Sequence, residues 1–377
     1  MSESDGEPRE YHGVSAHTHV RRVLRLHLRG TTKFKMVISI SPEDVRRLLK
    51  YEDLIPMIEN CLGNFSEHEN SGVVMPVRKT VDVNQGSGLW QSALRSPASD
   101  PLSGTLAPVS GNSWWHPWVV EEYLFTMPCF SKNEEALTVK LVSRFPKQNP
   151  SMHSIIILLN STTGAIEALL DGVVITLMRT AAASAVALKY LTVPEKCKIL
   201  CIIGAGGQAL SHFHAFKHVR NFTEVRVWNR TAANTQKFAK ETGAIPYDNA
   251  EEAVKNADVV VTATSATTAV LCGDWLKPGA FVCSVGAPIE TARELDDSVM
   301  HQSTVVVDGY DGAQTLSGDI ILSKAKISAE IGEVISGKVT LQTNKFVLFK
   351  SLGMAVYDAV TAKHISTKYT TSSKPGS

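Results

Sequence analysis

The run Cys197-Lys-Ile-Leu-Cys-Ile-Ile203 empties directly into Gly204-Ala-Gly-Gly-Gln-Ala209, and a strand that ends in a Gly-x-Gly-x-x-Ala turn can fold in few ways. Gly204 permits the tight turn, Gly206 lets the backbone approach a phosphate, and Ala209 lets the following helix sit close to the strand. The free N–H groups and dipole of that helix then face an anion, which is how a chain holds a dinucleotide pyrophosphate. Ala205, Gly207 and Gln208 complete the candidate loop. A glycine triplet alone also fits an ordinary turn, so the context decides. Ala209 to Lys217 reads as a helix, Glu224 to Trp228 as a strand and Ala257 to Thr264 as another. This alternation predicts an α/β fold with a Rossmann-type, doubly wound parallel sheet.

The second strand bears on the nucleotide. Sites that prefer NAD usually carry an acid about 20 residues on, where it binds the ribose 2′-hydroxyl. Here the segment reads Val227-Trp-Asn-Arg-Thr231. Asn229 and Arg230 stand where the acid belongs, with Thr231 beside them, and a guanidinium suits a 2′-phosphate in charge and in fork geometry. NADPH is therefore the expected cofactor, with NADH the weaker alternative. The competing reading has Arg230 as a solvated side chain at a helix start.

With 377 residues the chain has room for two domains. A net charge of +1 gives no basis for a nucleic-acid partner. Six cysteines without a Cys-x-x-Cys pair read as reduced, buried residues of a cytoplasmic protein. No histidine or cysteine grouping suggests a metal, and no apolar run reaches the roughly 18 residues of a membrane span. Residues 1–35 join an acidic opening to an arginine-rich, acid-free stretch and read as an atypical tail. Without that acidic opening they would suggest a transit peptide. Residues 84–118 hold four of the six tryptophans with many Ser, Gly and Pro. They lack either hydrophobic period and read as a poorly ordered insert.

Ser41-Pro-Glu-Asp44 starts a helix, with Ser41 as cap. Val73 to Val81, Leu137 to Arg144, Ser154 to Leu159 and Ile166 to Leu170 read as strands, and Asp171-Gly172 as a turn into a helix from about Thr176 to Tyr190. Beyond Asp308 the chain reads as helical through Ile327 to Ile335 and Val347 to Ala362. The predicted division is a first α/β domain over 36–175, a nucleotide domain over 176–308 inserted in it, and a return to the first domain over 309–377.

Met75-Pro-Val-Arg78, Leu137-Thr-Val-Lys-Leu141, Asp171 to Ala182, the Gly204 loop, Trp228-Asn-Arg-Thr231 and Phe349-Lys-Ser-Leu-Gly-Met-Ala355 occur in an order that resembles the ornithine cyclodeaminase and mu-crystallin family. The resemblance covers about Met36 to Lys363 apart from the insert. It implies homodimers built from a dimerising substrate domain and a Rossmann domain, and it is strongest to a branch of NADP-dependent ketimine reductases that also bind thyroid hormone.

On the residues alone, Leu137, Val139 and Leu141 face the core and turn Lys140 to the other side, so that Arg78 and Lys140 read as solvated strand residues before they read as ligands of a substrate. Arg179 shares a small, polar helix face with Thr176, Thr180 and Ala183, suited to a ligand or to a surface ion pair. The resemblance implies that Arg78, Lys140 and Arg179 surround a substrate carboxylate, with Lys140 the candidate proton source. It also implies that Thr180, Thr264, Val285 and Ser351 lie near the nicotinamide.

Three departures from the family pattern are visible: Leu316-Ser-Gly-Asp319 for Glu-Ser-Gly-Asp, Ser151-Met-His153 for Ser-His-Gln, and Met178 for a lysine. A fourth concerns reaction type. Cyclodeaminases of the family use an aspartate soon after the strand ending at Thr264, and this chain reads Thr264-Ser-Ala-Thr-Thr-Ala269 without a carboxylate. The expected activity is NADPH-dependent reduction of the C=N bond of small cyclic ketimine carboxylates, with thyroid hormone a further ligand of the same site. The alternatives are a non-catalytic hormone-binding protein, a structural crystallin, and, further off, a cyclodeaminase or amino-acid dehydrogenase.

Overall fold

The computed structural model describes residues 37–76, 79–82 and 122–372. Arg78, the tail 1–35 and the insert 84–118 lie outside the described residues. The first domain holds β1 (Ile38–Ile40), α1 (Pro42–Leu48), α2 (Tyr51–Phe65), β2 (Val73–Val74), β3 (Lys79–Asp82), β4 (Tyr123–Ser131), β5 (Ala136–Arg144), β6 (Met152–Asn160) and β7 (Ile166–Asp171). Its sheet runs β1-β7-β6-β5-β4-β2, with β3 also paired to β4. The strand expected from Val73 to Val81 is thus two strands, β2 and β3, both antiparallel to β4. Ser41 caps α1 as expected, its hydroxyl accepting from the Asp44 N–H.

Strand β5 buries Ala136, Thr138, Lys140 and Val142, while Leu137, Val139 and Leu141 are half-buried on the outer face. The sidedness is the reverse of the expectation. Helices cover the Lys140 face, and the outer face is apolar as well, with Ile157 and Leu159 of β6 beside Val139 and Leu137. Alternation tells which residues share a face; it does not tell which face is inside.

Helix α3 (Gly172–Leu191) starts earlier than expected. Asp171 caps it, accepting from Val174 N at 2.7 Å, so Asp171-Gly172 is a helix start rather than a turn. Contrary to expectation, α3 is long and apolar enough to cross a membrane by length and composition. Its residues are mostly buried inside the protein, and that burial accounts for its apolar sequence.

The second domain contains β8 (Ile199–Ile203), α4 (Gly207–Val219), β9 (Glu224–Trp228), α5 (Ala232–Thr242), β10 (Ile245–Pro246), α6 (Ala250–Val254), β11 (Val259–Thr262), β12 (Phe281–Ser284), α7 (Asp297–Gln302), β13 (Ser303–Val307), α8 (Tyr310–Leu316), α9 (Gly318–Ser323), β14 (Ile327–Glu330), α10 (Ile331–Ile335) and β15 (Phe346–Lys350). All eight strands pair in parallel, in the order β10-β9-β8-β11-β12-β15-β13-β14. Apolar clusters cover both faces, which explains why β8, β11, β12 and β13 are near-continuous apolar runs.

The predicted return at 309 is corrected by β14 and β15, which complete the nucleotide sheet. Two elements of this stretch do reach the first domain: α10 packs against α2, and α11 (Ala355–Ser372) packs on β4 and β5 and against α3. A short run such as Phe346 to Lys350, four apolar residues and a lysine, fits a strand or a buried helix equally, so periodicity alone misplaced it.

Candidate active site

The sequence order changes direction between β8 and β11, which opens a crevice at the carboxyl ends of the strands. Gly204 has φ +116°, and a Cβ there would stand 2.5 Å from the Ala263 carbonyl oxygen. Only glycine fits this close crossing of β8 and β11. Gly206 has open space around its Cα and precedes α4 without any side-chain cap, so the first N–H groups of that 13-residue helix face the crevice unsatisfied by the chain. Ala209 is fully buried and keeps α4 close. A dinucleotide pyrophosphate fits this cradle by charge and by space.

The other candidate cofactor residues line the same edge. Asn229 donates to the Thr231 carbonyl at the end of β9, and Arg230 is exposed beside it, with no ion partner among the described residues. Thr264 follows β11, Val285 follows β12 and Ser351 follows β15. Backbone bonds from Val285 N to Thr262 O and from Ser351 N to Ser284 O, each 3.0 Å, hold these ends in line. Thr180 is buried on α3, one residue past Arg179.

Behind this edge lies a buried polar network absent from the sequence reading. The Glu294 carboxylate accepts from Thr262 Oγ1, Thr264 N and Oγ1, Ser284 Oγ and Gly286 N at 2.6–3.0 Å. Lys350 donates to Ser284 Oγ, the Gly286 carbonyl and Asp319 Oδ2, and Asp319 in turn accepts from Glu294 N and Leu295 N. A carboxylate therefore does sit against Thr264, supplied by a distant segment. It is fully buried and committed to five donors, so it is not exposed as a base. Asp319 of the Leu316-Ser-Gly-Asp319 block belongs to this scaffold.

Lys140 and Arg179, separate in sequence, meet in space. Asp358 in the first turn of α11 joins them: Oδ2 lies 2.7 Å from Lys140 Nζ and Oδ1 3.1 Å from Arg179 Nε. Their relative exposures are 2%, 3% and 1% for Lys140, Arg179 and Asp358. Arg179 is thus neither a surface ion pair nor solvated, and Thr176 of its small face lies 3.5 Å from Lys140 Nζ. The Nη1 of Arg179 is buried without a hydrogen-bond partner among the described residues. Such a group favours an anionic ligand. Sequence reasoning missed Asp358, although a lone acid in the small, apolar run Met354 to Ala362 is a signal of a buried charge with a partner.

The segment after β15 links the two regions. Asp308 Oδ2 accepts from Ser351 Oγ, Leu352 N and Gly353 N at 2.7–3.0 Å, and Gly353 packs against the Arg179 guanidinium. A cavity of about 200 Å³ adjoins this strap, its apolar wall made of Phe65, Met75, Met127, Leu316, Leu352 and Met354. Met127 is the cross-strand neighbour of Lys140. Leu316, which replaces the glutamate of the resembling pattern, is therefore part of an apolar wall. Met152 and His153 are exposed at the start of β6, and Met178 is half-buried on α3. Among the described residues no group of three or more His, Cys, Asp or Glu forms a metal site.

The sequence model of the ornithine cyclodeaminase/mu-crystallin family matches residues 116–373. The chain is 40% identical over 329 residues to the ketimine reductase mu-crystallin of Macropus fuliginosus, covering 85% of this chain and 94% of that one. It is 33% identical to a delta(1)-pyrroline-2-carboxylate reductase of Bacillus cereus over 69% of this chain and 85% of that one. The structure of Thermococcus litoralis delta(1)-pyrroline-2-carboxylate reductase, in complex with NADH and L-proline, superposes with a TM-score of 0.75 at 29% identity. That match covers 90% of this chain and 99% of the other.

Proposed function

The chain belongs to the ornithine cyclodeaminase/mu-crystallin family, and from that membership we propose that it reduces the C=N bond of cyclic ketimine carboxylates of the pyrroline- and piperideine-2-carboxylate type. One observation carries the reading. A lysine and an arginine are buried together under the strap that continues from the cofactor edge, and one guanidinium nitrogen is left without a partner among the described residues. The names of the relatives support the reaction class and a nicotinamide cofactor.

When bound, the reduced nicotinamide supplies the hydride. The chain's residues do the rest. Arg179, with Arg78 as its expected companion, binds the substrate carboxylate by charge-assisted hydrogen bonds, which fixes the C=N carbon in one place. Lys140 carries an ammonium that hydrogen-bonds the imine nitrogen and gives it a proton, making the carbon more electrophilic. The apolar wall from Phe65 to Met354 receives the ring carbons and excludes water. Gly204 to Ala209 hold the pyrophosphate, and Arg230 selects NADPH over NADH through the 2′-phosphate.

Homodimerisation is part of the proposal. The outer face of β5 and β6, with Leu137, Val139, Leu141, Ile157 and Leu159, is the surface suited to a second copy. Thyroid hormone is a second ligand class for the site, supported by the apolar cavity beside Gly353, which packs on Arg179. A cytoplasmic location is supported by six free cysteines. The test is a steady-state assay with NADPH against pyrroline-2-carboxylate and piperideine-2-carboxylate. Turnover with both supports the reading, and hormone binding without turnover rejects it.

A further inference from the structure

Two cations buried together require an anion, and the fold brings one from a third element. Lys140 comes from β5, Arg179 from α3 and Asp358 from α11, so cations from two separate elements converge on a carboxylate from a third. The carboxylate is divided, Oδ2 to Lys140 and Oδ1 to Arg179. Thr176 Oγ1 gives its own proton to the Gly172 carbonyl at 2.6 Å, and so turns a lone pair toward the Lys140 ammonium. A carboxylate this buried does not face substrate. Its effect is exerted through the two cations it touches.

Resting on the reading of this site as a carboxylate-binding reductase, we propose that Asp358 is the positioning residue of the reaction. It fixes Lys140 and Arg179 relative to each other, leaving Lys140 aimed at the imine nitrogen and Arg179 Nη1 at the carboxylate. It also offsets one of the two positive charges that an anionic substrate meets. These two roles act in opposite directions when the charge is removed. In Asp358→Asn the amide presents N–H to one of the cations, and Lys140 loses its anchor. The site then carries more positive charge and attracts a carboxylate more strongly, while the reacting groups are less well aligned. A residue that only supports the fold would weaken binding and turnover together.

The experiment compares wild type with D358N, K140M and K140M/D358N. It reads NADPH affinity by fluorescence, L-proline affinity in the presence of NADP⁺, and kcat on pyrroline-2-carboxylate. The expected D358N protein binds NADPH within about twofold of wild type, binds L-proline about threefold more tightly and turns over about 100-fold more slowly. The double variant is expected within about threefold of K140M, because Asp358 acts through Lys140. An unchanged kcat in D358N overturns the proposal, as does L-proline affinity falling in step with kcat. Should D358N fail to fold, the double variant decides. Folding with the activity of K140M supports the proposal, and failure to fold or a rate far below K140M overturns it. If wild type reduces no ketimine, the reductase reading fails, while the NADPH and L-proline affinities still test the positioning of the cations.

Discussion

Gly353 lies against the guanidinium of Arg179 so closely that a Cβ there would overlap Nη1 and stand 3.1 Å from Nη2. The glycine also has φ +75°, a conformation that L side chains rarely adopt. Gly353→Ala should displace Arg179 while leaving the nucleotide edge intact. The expected result is a KM for the ketimine carboxylate raised about tenfold, equivalent to about 1.4 kcal/mol, with NADPH affinity changed less than about twofold. Loss of both in equal measure would show that the strap supports the whole crevice.

Arg230 is exposed at the end of β9, where no carboxylate stands. Arg230→Asp removes a charge-assisted partner of the 2′-phosphate and adds a repulsion, so NADPH affinity should fall about 30-fold or more. NADH affinity should change little. Separate titrations of the two coenzymes measure this, and equal losses would assign Arg230 to the fold alone.

The Gly204 loop of the nucleotide half is legible in sequence because Gly204 answers to a local steric demand, while Gly206 leaves open space where a phosphate would approach. The cation pair is half legible. Arg179 and Lys140 carry the family pattern, but the sidedness of β5 is hidden because both faces of its sheet are apolar. Asp358, Glu294 and Asp308 are not legible from spacing. Glu294 lies 30 residues from Thr264, and its role exists only once β11, β12 and the segment after Ala287 have come together. The assignment of β15 fails for a related reason: its order beside β12 and β13 is a tertiary fact that five residues do not encode.

His212 ties α4 to α3. Its Nδ1–H donates to the Gln208 carbonyl at 2.7 Å and its Nε2 accepts from Ser184 Oγ at 2.9 Å. Burial pushes its pKa down from 6.5 to about 4. The neutral ring is thus favoured in the folded protein, and its contribution is complete above about pH 6.5 and is lost as the pH falls toward 4, at up to about 1.4 kcal/mol per pH unit. His212→Gln should be less stable at pH 7.5, yet its melting temperature should depend less on pH between 6.5 and 4.5. Parallel pH profiles for the two proteins would contradict this.

L-Ornithine should yield no ammonia. The loop from Thr264 to Ala269 lacks a carboxylate, and the Glu294 carboxylate behind it is buried with five donors. No acid–base group is therefore offered there for cyclodeamination among the described residues. Ammonia and proline assays with NAD⁺ or NADP⁺ check this, and cofactor-dependent release of both would return the chain to the cyclodeaminase class.

The most direct test follows the hydride itself. NADPH deuterated at the transferable C4 position is incubated with the purified protein and pyrroline-2-carboxylate, and the amino-acid product is analysed by mass spectrometry and NMR. The expected product is proline carrying one deuterium, at Cα, formed in step with NADPH oxidation. Unlabelled proline, or no proline while the coenzyme is bound, would contradict ketimine reduction at the Lys140 and Arg179 site.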